Sequence, residues 1–247
     1  MPFYYTVGNH EFYYEQTEGA ASGEFFDNNW KRFREFAGWK ENEFYRYAVI
    51  DGDYFIFMGE EARGTFDAAD NKQGTADGYF SEAQREWLRG LLSKAAAENA
   101  NAFVFMHQSI DNTVAGSFAG QNWSGINDDE KMQAILESYP NTVLFTGHSH
   151  WNLHSKAPFV NGGTSGASYV NTASCGYLWS DANKGVPGSE GLTVEVYEND
   201  IVIRGRDFTN RKWVPAVYAC VPKNADFNAM ETPVTSDETS IRTSGVS

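Results

Sequence analysis

Two continuous apolar runs of strand length, at residues 102–106 and 142–145, constrain this chain more than any other feature. Runs without polar alternation suit strands of a parallel sheet covered on both faces. A helical pattern precedes each of them. Before the first, Ala83, Trp87, Leu88, Leu91, Leu92 and Ala95 fall on one face, as a 3.6-residue period requires. Ser81, with Gln84 three residues on, fits a capping box in which each side chain answers an orphan backbone donor. Before the second run, Met132, Ile135, Leu136 and Tyr139 form an inner face, and Asp128 stands where an N-cap belongs. With a strand-like run also ahead of the first helix, the order is strand, helix, strand, loop, helix, strand. That order predicts βαβ units and a parallel sheet.

The flanking segments read differently. Residues 3–7 are a short β-prone run stopped by Gly8. Trp30, Phe33 and Ala37 sit at helical spacing within 27–37. Residues 45–50 and 54–58 are β-rich, and Asp51-Gly52-Asp53 between them predicts a hairpin. Residues 60–80 are acidic and Gly-rich and read as a loop, as do 108–126 and 155–168. After His154, strand patterns at 169–175, 192–197, 201–204 and 213–221 follow with no comparable helix between them. Glu198-Asn199-Asp200 makes a turn there, so this half reads as antiparallel. The domain is expected over residues 1–222, with a polar, Thr/Ser-rich tail over 223–247.

Composition narrows the function classes. A formal charge of −14 is the opposite of a nucleic-acid binder's basic stripe, so no nucleic-acid partner is expected. No run of about 18 apolar residues is present to span a membrane. Cys175 and Cys220 are too few for a disulfide framework and lie in apolar, strand-like runs, so buried free thiols are predicted. Neither a Ser-His-Asp set nor a P-loop is visible.

Four of the five histidines, His10, His107, His148 and His150, follow strand-like runs. Strand ends are where open α/β sheets place ligands. Imidazole nitrogen and amide oxygen suit Zn, Mn or Fe, and phosphate-ester hydrolysis gains most from a pair of such ions. Taken singly each string has a plainer reading. His-x-His and a lone histidine are common structural patterns, and Asn9 after Gly8 also serves a turn. The weight lies in three strand ends in succession, each closing on a metal-capable residue. Trp151 is open to two readings, stacking on a leaving group or packing. His154 reads as a loop residue. Asp51 and Asp53 belong to a turn, and Glu60 and Glu61 open the acidic loop.

Gly8-Asn9-His10-Glu11, then His107 after its apolar run, then Gly147-His148-Ser149-His150, resembles the last three motifs of the calcineurin-like metallophosphoesterases. Gly78-Tyr79-Phe80 leading into Ala83-Gln84 and Trp87-Leu88 is similar to the helix preceding the third motif in bacterial members. The resemblance implies a four-layer α/β/β/α sandwich. It implies that Asn9, His107 and His148 bind one metal and His150 the other. It gives His10 the role of a non-ligating histidine that stabilises the phosphoryl group or protonates the leaving oxygen, with Glu11 orienting. Two further family motifs, an Asp-x-His and a Gly-Asp pair, would lie upstream and are not in this sequence. The chain is therefore expected to lack the first strands and helices of the sandwich, as a fragment or as one half completed by another chain. The parent enzyme would carry two divalent ions (Mn, Fe or Zn), with at most one weakly held here. Its substrate would be a small phosphate mono- or diester. The alternative is a non-catalytic remnant that binds a phosphorylated ligand or a partner chain. The acidic, aromatic-rich composition resembles secreted bacterial members. Oligomeric state and substrate identity stay open.

Overall fold

The computed structural model describes residues 3–12, 22–41, 43–63, 78–121, 123, 125–163, 165–198 and 200–222. The expected tail over 223–247 and most of the acidic loop lie outside them.

Helix α1 (Ser22–Ala37) precedes the hairpin of β1 (Arg46–Ile50) and β2 (Asp53–Phe57). The pairing of Ile50 with Asp53 leaves Asp51-Gly52 as a two-residue turn. Both turn residues have positive φ, 51° and 89°, the twist-matched geometry that an Asp-Gly pair accommodates. A small ribbon of β3 (Ala62–Arg63) and β4 (Gly78–Tyr79) leads to α2 (Glu82–Ala97). Then come β5 (Ala102–Met106), α3 (Asp129–Glu137) and β6 (Thr142–Thr146). The later strands are β7 (Phe159–Val160), β8 (Ser168–Asn171), β9 (Tyr177–Ser180), β10 (Lys184–Pro187), β11 (Glu190–Val196), β12 (Asp200–Asp207) and β13 (Lys212–Pro222).

The chain is a mixed α/β fold around a six-stranded sheet ordered β1-β2-β5-β6-β8-β7. Strands β2, β5, β6 and β8 run parallel, and β1 and β7 pair antiparallel at the two edges. Strand alternation sorts the side chains. Tyr54, Ile56, Ala102, Val104 and Leu144 meet Leu88, Leu92, Ile135 and Leu136 of α2 and α3 on one face. Phe103, Val143, Phe145 and Val170 meet Ile201, Ile203, Val214 and Val217 of the antiparallel β11-β12-β13 sheet on the other. Beside that small sheet, Trp30 and Phe33 of α1 pack with Val7, Trp39 and Phe57.

Several local expectations are corrected. Residues 3–7 form no strand. What this segment offers the sheet is side chains rather than a ladder, with Tyr4 stacked flat on Phe57 at 5.3 Å and 7°. The capping box is half built: Ser81 Oγ accepts the Gln84 N–H at 3.2 Å. The Gln84 side chain instead binds both the N–H and the C=O of Gly59, and Glu61 accepts the Ser81 N–H at 2.7 Å. Asp128 does not cap α3 through its side chain; it is left-handed and pairs with Arg85 at 2.8 Å and Lys131 at 3.1 Å. Cys175 is exposed, not buried. Strand β8 stops at Asn171, and Ala173 with φ 58° turns the chain out of the sheet before the cysteine is reached. The side chain of Cys220 lies outside the described residues. The hairpin of β9 and β10 was not legible in the sequence pattern.

Candidate active site

Parallel strands β5 and β6 are neighbours in register, Met106 opposite Thr146. Their carboxyl ends therefore deliver His107 and Gly147-His148 side by side, and the Gly147 N–H donates to the His107 carbonyl at 2.9 Å. Asn9 reaches the same edge from a 3-10 turn, Asn9–Phe12. The Glu11 carboxylate accepts the Gly8 N–H at 2.7 Å and closes the turn on itself. Gly8 itself lies against the His107 ring.

Asn9 Oδ1 lies 2.8 Å from His107 Nε2, and His148 Nδ1 lies 3.3 Å from that same nitrogen. Asn9 is 4% exposed and His148 7%. Burial foremost, and then the neighbouring imidazoles His148, His10 and His150, push His107 down to about 3. Burial, then His150 and His10, push His148 down to about 4. Both rings are thus neutral at ordinary pH, the state in which imidazole donates a lone pair to a metal.

His148 and His150 both hold left-handed backbone conformations, φ 61° and 58°. Non-glycine residues there are strained, and such strain gathers at functional sites. The turn splits the pair. His148 faces His107, while His150 packs under Tyr177 with ring centroids 4.4 Å apart. His150 Nδ1 lies 3.1 Å from the Tyr177 carbonyl. A carbonyl only accepts, so Nδ1 carries the proton and Nε2 keeps its lone pair. Burial foremost lowers the pKa of His150 as well. His10 is exposed at the rim, beside Asn9.

The structure therefore brings Asn9, His107 and His148 into contact, sets His150 next to them, and leaves His10 at the edge. One amide oxygen and two neutral imidazole nitrogens form a donor set that fits a divalent ion. Among the described residues no three His, Cys, Asp or Glu side chains gather to hold a metal, so the amide is indispensable to the set.

Other residues fall into place around it. Trp151 is fully buried and its indole N–H reaches Asp181 at 3.2 Å, which decides for packing. His154 lies 3.8 Å from Glu190. Asp53 is buried and accepts both the backbone and side-chain N–H of Asn101, at 2.9 and 2.8 Å. Glu60, read as the start of a loop, is 1% exposed and accepts from the Gln108 amide. It follows the run Phe57-Met58-Gly59, another strand end, which was the available signal. A cleft of about 490 Å³ opens beside the donors, lined by His107, Gly147 and Thr172 and by Tyr4, Phe57 and Phe105.

The family model for calcineurin-like phosphoesterases matches residues 1–152. No curated protein matches the chain. Among solved structures, a dimetal phosphatase from Danio rerio is similar in fold, with a TM-score of 0.55 at 14% identity, over 90% of this chain and 72% of that one. No described helix is long and apolar enough to cross a membrane. The matched span contains the 3-10 turn, strands β5 and β6 and the two left-handed histidines. The chain belongs to the calcineurin-like phosphoesterase family.

Proposed function

We propose that this chain carries a histidine-rich, metal-dependent phosphoesterase site that hydrolyses small phosphate mono- or diesters. The observation that supports this most is the convergence of Asn9 Oδ1, His107 Nε2 and His148 Nδ1 on one spot. In this reading those three atoms hold one divalent ion, and His150 Nε2, its tautomer set by the Tyr177 carbonyl, faces a second. Ions of this kind supply Lewis acidity toward a phosphoryl oxygen. The chain's own residues do the rest. Asn9 and His148 are held by burial, so they need no reorganisation. His10, exposed on the same turn as Asn9, stabilises the phosphoryl charge or gives a proton to the leaving oxygen. The four-layer sandwich belongs to the same reading, the helical face and both sheets being its described part.

The test is hydrolysis of an aryl phosphate with added Mn, with metal content measured by plasma mass spectrometry. We expect at most one ion retained per chain, since His150 alone does not hold the second, and His107→Ala to cut turnover by about 100-fold or more. Two tightly held ions would overturn the stoichiometry, and turnover indifferent to His107 would overturn the site.

The donor set holds no carboxylate, which favours a second reading, a non-catalytic module for a phosphorylated ligand. Inorganic phosphate binding that survives a combined His107→Ala and His148→Ala change would decide for it.

A further inference from the structure

An aromatic wall stands beside the two strained histidines. Trp123, from the loop after β5, has its ring centroid 6.0 Å from His148 and 5.5 Å from Trp179. Trp179, on β9, stacks at 6.1 Å and 16° on the buried Trp151. Tyr177, at the start of β9, covers His150. Trp123 thus links His148 to Trp179, while Tyr177, two residues before Trp179 on β9, stands over His150.

Their burial is graded. Trp151 is fully buried and anchors the wall. Trp123 and Trp179 are half-buried, and Tyr177 is 49% exposed. The wall is also fixed in place. The Trp179 N–H donates to the His150 carbonyl and the Asn152 N–H to the Trp179 carbonyl, both at 2.8 Å, while the Trp123 N–H donates to Gly116 at 3.1 Å. Rings that only packed the core would be buried like Trp151. Rings carried on a tied backbone, partly open to solvent and touching the two histidines, form a stacking surface for a flat ligand.

We infer that Trp123, Trp179 and Tyr177 form a subsite for a planar aromatic leaving group on the phosphate ester. The inference rests on the phosphoesterase reading, since it places the group next to the phosphoryl site. Stacking on a preformed ring surface favours a planar π system over an alkyl chain of equal charge.

The test is calorimetric binding of phenylphosphonate and methylphosphonate to the full chain with Mn, alongside turnover of phenyl phosphate. Phenylphosphonate should bind about fivefold tighter or more. Trp123→Ala and Tyr177→Ala should each bring the ratio of the two affinities toward one, which a general loss of structure would not do. If Trp123→Ala fails to fold, the half-exposed Tyr177→Ala carries the test. A preference for phenylphosphonate that responds to these changes, without any turnover, supports the subsite and overturns the enzyme reading. Turnover with no such preference, or a preference untouched by both changes, overturns the subsite alone. Failure of phenylphosphonate to bind overturns it too.

Discussion

A Cβ on Gly8 would lie 2.7 Å from the imidazole of His107. Real Cβ atoms do not approach that closely, and the ring sits at the end of a central strand where it has little room to yield. Gly8→Ala should therefore tilt His107 away from Asn9. We expect Mn affinity to fall by about 10- to 100-fold, the scale seen when groups that orient a ligand are lost. Far-UV circular dichroism should stay unchanged. A calorimetric Mn titration checks the first and a spectrum the second.

His150 tests the cost of the turn. Its φ of 58° is one that only glycine adopts without penalty. His150→Gly should be more stable than His150→Ala by about 1 kcal/mol, because both lose the ring but only alanine keeps the strain. Paired urea denaturation curves give the difference. Equal midpoints would show that the turn is relaxed.

Asp129 gives the chain a pH dependence. Burial foremost, and then the charge of Asp111, push it from 3.8 up to about 6. The folded state therefore holds this proton more tightly than the unfolded one. The stability it contributes is full below about pH 4 and is lost as pH rises through about 6. Asp129→Asn should flatten that decline, and its Oδ1 can still accept the Asp111 N–H. Urea midpoints of both proteins between pH 4 and 7 test this; parallel curves would refute it.

Asp53 is a structural carboxylate. Asp53→Ala leaves the Asn101 N–H buried without its acceptor and should cost about 1–3 kcal/mol. Mn affinity should not change. A loss of metal binding at full stability would place Asp53 in the site instead.

What the sequence made legible was what depends on local pattern. The runs ending at Met106 and Phe145 declared two buried strands, and parallel pairing then obliged His107 and His148 to meet. Asp51-Gly52 announced its turn because few residue pairs tolerate two positive φ angles. Features set by distant partners were not legible. Gln84 fits a capping box by spacing, yet Gly59 offers its side chain a better pair of bonds. Cys175 belongs to an apolar run, but the left-handed Ala173 redirects the chain first. Glu60 stands at a strand end that the sequence does show, but its partner Gln108 lies far along the chain. Trp123, Tyr177 and Trp179 carry no periodic signal, since loops and a short hairpin bring them together.

The backbone bonds that tie Trp179 to His150 and Asn152 make the β9–β10 hairpin and the histidine turn one mechanical piece. The hairpin is a fixed jamb, with no hinge between it and the chemistry. Grafting a different hairpin onto this frame would exchange the rings that stand over the histidine turn, while the strand that carries His107 stays where it is.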